Sequence, residues 1–151
     1  ELLKMKVENP KDVAISLIKE LSDNVSRSND ISIEFENVPI KIPEQFFKDL
    51  IKELIENAFN FSPKNTPVKF IASQEKNKYV IKIIDKGIGM SEEQIANISA
   101  FMNVNTDAND KKGIGLGIVI VKRILRLFGG SISIDSKVGE GTTVVVSLQL
   151  A

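Results

Sequence analysis

Residues 53–63 read ELIENAFNFSP, and how they are read decides the arrangement of the rest of the chain. Phe47, Leu50, Ile51, Leu54 and Ala58 follow the spacing of one buried helical stripe. Glu53, Asn57 and Asn60 recur at four and then three residues, which sets them on a second face beside that stripe. Asparagine is a poor helix former because its amide competes for backbone hydrogen bonds, so two on one face call for a reason. A solvated polar flank is one. The other is a nucleotide pocket, in which Asn57 offers a neutral oxygen to a hard cation such as Mg²⁺. In that pocket Glu53, one turn earlier, is placed to hold a water or accept a proton. The glycines downstream bear on the choice.

Composition narrows the field. At 151 residues the chain fits one domain with room for a core. Its 20 Lys plus Arg balance 20 Asp plus Glu. No basic run exceeds pairs such as Lys111-Lys112, which argues against nucleic acid or direct membrane contact as the main business. With no cysteine and no histidine, disulfides, thiolate chemistry and a structural zinc site are set aside, while phosphate chemistry on oxygen ligands stays open. The longest apolar runs are strand-sized and no leader pattern opens the chain, so a cytoplasmic domain is expected. Residues 1–9 read as the stub of a connection to an upstream domain, and 10–151 as the domain itself.

Working outward from the central helix, Asn9, Pro10 and Asp12 make a helix start. Ala14, Leu17, Ile18, Leu21 and Val25 then keep helical spacing up to the polar run at 26–30. Residues 31–36 alternate as a half-buried strand, and the two prolines of 37–43 lead to the central helix, with Pro43 at its expected first position. Past Pro63, residues 68–73 and 79–85 read as a hairpin. Ser91 and Gln94 form a capping box for a short helix to about Ser99. Residues 103–112, NVNTDANDKK, have almost no apolar content and read as a mobile loop. Gly113-Ile114-Gly115-Leu116-Gly117 opens a helix apolar nearly all round, expected to be buried and to stop at Gly129-Gly130. Strands at 131–136 and 142–150 close the chain. The expected fold is an α/β (α+β) two-layer sandwich: a mixed, mostly antiparallel sheet of about five strands, covered on one face by about three helices.

Gly87 and Gly89 bare the backbone where Asp85 ends a strand, so a flat group can lie against the main chain while the carboxylate accepts from an exocyclic amine such as adenine's. A plain strand-to-helix turn also explains that spacing. Gly113, Gly115 and Gly117 precede a helix whose first N–H groups and dipole attract phosphate, though close helix packing explains them too. No strand leads into these glycines and no Lys-Ser/Thr follows, which excludes the dinucleotide fingerprint and the P-loop.

Taken in order, the elements resemble the catalytic, ATP-binding domain of sensor histidine kinases, within the superfamily shared with gyrase, MutL and heat-shock chaperone ATPases. ELIENAFNFSP looks like that family's N box, DKGIGM like its G1 box, KGIGLGIVIVKRILRLFGGSISIDS like its G2 box with the following helix and strand, and GEGTTV like its last glycine turn. The likeness runs from about Pro10 to the end. It implies ATP and Mg²⁺ as cofactors, with a mobile ATP lid. Asn57 would be the metal ligand, Glu53 the base or water holder, Phe61 the aromatic on the adenine and Asp85 the reader of its amino group. Gly87, Gly89, Gly113, Gly115, Leu116 and Gly117 would form the hinges and phosphate-side backbone. Thr142 or Thr143 would add a hydroxyl near Asp85.

Two positions depart from the family pattern. Asn60 stands where a basic residue usually meets the phosphates, and the lid's phenylalanine-rich motif is reduced to Ala100-Phe101-Met102-Asn103-Val104. Lys111 and Lys112 are the nearest replacements for the lost charge, and equally read as solvated loop lysines. With no histidine in the chain, the resemblance implies a partner helical dimerisation domain that carries the phospho-accepting histidine and makes the full-length protein a homodimer. A response regulator receiver domain would take the phosphoryl group onward. A non-catalytic nucleotide-responsive module and a hydrolytic ATPase of the same superfamily are the rival functions.

Overall fold

A computed structural model describes residues 5–102 and 114–151. The elements run α1 (Pro10–Asn24), β1 (Ile31–Phe35), α2 (Glu44–Asn60), β2 (Val68–Glu75), β3 (Lys78–Asp85), α3 (Glu92–Met102), α4 (Ile114–Leu127), β4 (Ser131–Lys137) and β5 (Gly141–Gln149). The strands form one sheet in the order β1-β2-β3-β5-β4. Only β1 and β2 pair in parallel; the other neighbours are antiparallel. A parallel pair needs a crossover, and α2 is that crossover. It lies on the sheet with α1 on one side and α4 on the other, while α3 rests on α4. The expected two-layer sandwich with a mixed sheet is what forms, and the expected lid at 103–112, with Lys111, Lys112 and Gly113, lies outside the described residues.

The core fills the space between α1, α2, α4 and one face of the sheet. Ile18, Phe47, Leu50, Ile51, Ile55, Phe70, Tyr79 and Ile81 are fully buried there. The Phe35 and Phe70 rings stack with centroids 6.0 Å apart, and the Tyr79 hydroxyl donates to the Glu36 carbonyl at 2.8 Å. The Ser91–Gln94 capping box closes as expected: Gln94 N–H donates to Ser91 Oγ at 3.2 Å and Ser91 N–H to Gln94 Oε1 at 2.8 Å. No helix among the described residues is long and apolar enough to cross a membrane.

Several expectations need correction. Asn9 makes no side-chain cap on α1. Asn37 does so from the far side of β1, its Oδ1 accepting from Lys11 N–H at 3.1 Å while its Nδ2 donates to Asn9 Oδ1 at 3.2 Å. Pro43 is the extended residue before α2 rather than its first helical one. Helix α3 runs on to Met102. Helix α4 is not buried all round, because Ile120 and Leu127 stand 40% and 50% exposed on its outer side. Val7 is buried and bridges Ile40, which in turn bridges Leu150.

Candidate functional site

The buried stripe of α2 sets Leu54 and Ala58 toward the sheet, and the same turns of helix bring Asn57 and Phe61 to its edge. There they meet Ile83 and Asp85 of β3, Gly89 and Met90 of the following turn, and Thr142 and Val144 of β5. These residues line a shallow cleft that is partly open to solvent. Its walls are mostly apolar and its polar groups are few, the composition expected of a site for a flat ligand with a polar edge.

Asp85 forms the polar end of this cleft and is only 6% exposed. Gly87 N–H donates to its Oδ1 at 2.8 Å. Burial pushes the carboxyl's pKa up, while the N–H groups of Gly87 and Thr142 and the positive charge of Arg27 pull it back. An ionised carboxylate has about four acceptor sites, so these backbone donors leave capacity facing the cleft. Asp85 pairs across the strands with Thr142, and side chains of paired residues share a face. Thr142 Oγ1 lies 2.8 Å from Ser136 Oγ, which donates to the Gly141 carbonyl at 2.9 Å and accepts from Met90 N–H at 2.7 Å. Thr143, one residue on, falls on the opposite face and lines a polar crevice with Lys86 and Asp135 that also borders Asp85 and Thr142.

The glycines make close approach possible. A Cβ on Gly87 would overlap the Phe61 carbonyl oxygen, and one on Gly89 the Lys137 carbonyl oxygen. Gly89 also has φ +72°, in the left-handed region. Between them Ile88 N–H donates to the Phe61 carbonyl at 3.3 Å, and the Ile88 carbonyl accepts from Gly139 N–H at 2.7 Å. The turn after β3 is thus tied to the end of α2 on one side and to the β4–β5 turn on the other.

Glu53 lies one helical turn before Asn57 and is half-buried. A Cβ on Gly117 would stand 3.0 Å from Glu53 Oε2, so the first turn of α4 sits against this carboxylate. Burial, reinforced by the nearby Glu56, raises the Glu53 pKa. Gly115 and Leu116 belong to the same first turn of α4. Asn60 is exposed and does not line the cleft. Among the described residues no group of three or more acidic, histidine or cysteine side chains converges to hold a metal. Asn57 lines the cleft with a neutral amide oxygen, a donor of the kind a hard cation takes alongside ligand phosphates and water.

Two residues were missed in the sequence. Ser136 joins Met90 to Thr142, and its place one residue before the β4–β5 turn gave no signal. Arg27 sits in the polar run SRSND, where nothing in the sequence singled it out. It is 3% exposed, and its guanidinium donates to the carbonyls of Phe59, Ser62, Pro63 and Thr66.

Residues 42–151 match the family described as histidine kinase-, DNA gyrase B-, and HSP90-like ATPase. Among curated proteins, the sensor histidine kinase YvrG of Bacillus subtilis is 30% identical over 112 residues, covering 74% of this chain and 19% of that protein. The signal transduction histidine-protein kinase ArlS of Staphylococcus aureus is 34% identical over 116 residues, covering 76% of this chain and 26% of that protein. The chain thus spans about a quarter or less of the length of these relatives. Among solved structures, the mycobacterial sensor histidine kinase MprB superposes with a TM-score of 0.79 at 18% identity, covering 97% of both chains. The catalytic domain of histidine kinase ThkA gives 0.76 at 20% identity, over 97% of this chain and 98% of that one. The match over residues 42–151 takes in α2, the Asp85 turn, α4 and the β4–β5 turn together, and the chain belongs to the histidine kinase-, DNA gyrase B-, and HSP90-like ATPase family.

Proposed function

We propose that this chain is the ATP-binding domain of a sensor histidine kinase, and that it passes the γ-phosphoryl group of Mg²⁺-ATP to a histidine on a separate helical dimerisation domain. A response regulator receiver domain would then take the phosphoryl group, in the cytoplasm, and the homodimer would form through the helical domain. The observation that carries this reading is the buried Asp85 carboxylate in a mostly apolar cleft that also holds Phe61 and Asn57. Asp85 would accept from the exocyclic amine of adenine, Phe61 would pack on its ring, and Asn57 would serve the metal-bound phosphates.

Mg²⁺, held through the Asn57 amide oxygen, would neutralise phosphate charge. The first turn of α4 offers N–H groups at the positive end of its dipole. Lys111 and Lys112 are the remaining cations proposed for the transferring group. In the transfer, the bond from the γ-phosphorus to the bridging oxygen breaks as a bond to the imidazole nitrogen forms, and ADP leaves. Glu53, its pKa raised by burial, is the group proposed to accept a proton or orient the attacking nitrogen.

Single-turnover transfer from labelled ATP to a supplied helical hairpin bearing a histidine tests the proposal, with affinity followed in parallel. Nucleotide binding without transfer favours the nucleotide-responsive module, for which the exposed Asn60 in place of a basic residue is the specific support. Phosphate release without transfer favours the hydrolytic ATPase.

A further inference from the structure

We propose that Arg27 is a positioning residue for the base-binding wall of the cleft: from the α1–β1 connection it fixes the chain that leaves α2, and with it the ring of Phe61. The proposal rests on the adenine reading of the site. Arg27 Nη1 donates to the Phe59 carbonyl at 3.0 Å, the Ser62 carbonyl at 2.8 Å and Ser62 Oγ at 3.0 Å. Nη2 donates to the carbonyls of Pro63 at 2.9 Å and Thr66 at 3.1 Å, and Nε to Asp30 Oδ2 at 2.7 Å. The guanidinium carbon sits 4.9 Å from the Phe59 ring centroid. Asp30 Oδ2 also accepts from Asn65 N–H at 3.0 Å, which joins the ion pair to the same loop.

The acceptors bracket Phe61 in the chain, one before it and the others after. Phe61 itself is held at its amide by the Asn57 carbonyl at 3.2 Å and at its carbonyl by Ile88 N–H at 3.3 Å. Helix α2 has no basic residue in its last turn, so Arg27 supplies the positive charge and the donors that its terminal carbonyls lack. A planar fork with five donors meets this spread of acceptors, and an ammonium on a flexible stem does not. The same charge also opposes the upward push of burial on Asp85.

The experiment compares the wild-type chain with Arg27→Lys, Arg27→Gln and a control, Ile18→Val, in the α1 core and outside the cleft. Calorimetry measures ATP affinity with and without Mg²⁺ at a temperature where each variant is folded, and thermal denaturation gives stability. Arg27→Lys is expected to weaken ATP about tenfold, equally with and without Mg²⁺, and Arg27→Gln by more. Ile18→Val should lose stability with no change in affinity. Arg27→Lys binding within about twofold of wild type, or Ile18→Val weakening binding as much, overturns the proposal. Should neither Arg27 variant fold, Ser62→Ala removes one acceptor and is expected to weaken ATP two- to threefold, roughly; unchanged affinity there overturns the proposal equally. A wild-type chain that binds no adenine nucleotide overturns the reading of the site itself and the positioning role with it, a result distinct from normal wild-type binding with insensitive Arg27 variants.

Discussion

Replacing Gly87 with alanine tests whether the end of α2 and the turn after β3 are held in contact by the absence of a side chain. Gly87 does not have a positive φ, so alanine brings no backbone strain and the effect is steric. The added methyl would overlap the Phe61 carbonyl oxygen and stand 2.9 Å from Asp85 Oδ1. Neither atom is the free end of a flexible chain. One accepts from Ile88 N–H at 3.3 Å and the other from Gly87 N–H at 2.8 Å. Moving the two segments apart costs about 1–3 kcal/mol for overpacking, plus about 1 kcal/mol for each of two weakened hydrogen bonds. A total of about 3–5 kcal/mol corresponds to roughly a 10–15 °C fall in Tm for a domain of this size. Gly139→Ala is the matched control. Gly139 has φ +82°, and a methyl group added there would meet nothing within 4 Å, so its cost is backbone strain alone, roughly 1–2 kcal/mol. Urea and thermal denaturation of both variants give the comparison. Gly87→Ala proving no more destabilised than Gly139→Ala would refute the contact.

Asn57→Ala should weaken Mg²⁺-ATP more than metal-free ATP, and equal losses by calorimetry would exclude a ligand role for the amide oxygen. Asp85→Asn should erode a preference for ATP over GTP that is expected to be at least about tenfold, since a buried acceptor facing guanine's carbonyl costs on the order of 1–3 kcal/mol. The same variant has a pH signature. Burial raises the folded pKa of Asp85 above its ordinary 3.8, so the ionised carboxylate costs stability at neutral pH and that cost is relieved as pH falls through the raised value. Asp85→Asn should therefore be the more stable protein at pH 7, with the gap closing on acidification; a gap that stays constant from pH 7 to pH 4 in urea titrations counts against the burial effect. If Lys111 and Lys112 serve the proposed transfer, changing both to alanine should cost far more in single-turnover transfer than in affinity, because the charge they would meet develops on the transferring group. Should the wild-type chain transfer nothing while Asn60→Lys restores transfer, the natural sequence is the nucleotide-responsive module.

The periodicity of α2 and the strand-ending Asp85 with its two glycines were legible because each depends on neighbours close in sequence. What stayed hidden depends on pairing between distant segments. Thr142 and Thr143 are indistinguishable until the register Asp85↔Thr142 is known; the two-residue period then turns one into the cleft and the other away. Asn60 shares a broad face with Asn57, yet three residues on a 3.6-residue turn leave it about 60° off. It is also the last residue of the helix, and that offset leaves it exposed. Arg27 gave no signal within the polar run because the carbonyls it serves lie 32 to 39 residues away.

Three segments far apart in the chain converge on α2 between Glu53 and Phe61. Arg27 reaches it from before β1, Gly87 and Ile88 from after β3, and Gly117 from the start of α4. Arg27 and the Gly87 turn both act within five residues of Phe61, whereas Gly117 acts at Glu53, two turns earlier. A rigid helix transmits displacement along its length but not a change in the course of the chain beyond its last turn. Substitutions at Arg27 and Gly87 should therefore be non-additive with each other in nucleotide affinity, since both act through the position of Phe61. Either should be close to additive with a substitution at Gly117, which acts at Glu53. A double-mutant cycle reads this directly: coupling between Arg27→Lys and Gly117→Ala as large as that between Arg27→Lys and Gly87→Ala would mean that α2 moves as one body, and that base and phosphate recognition are not separable along it.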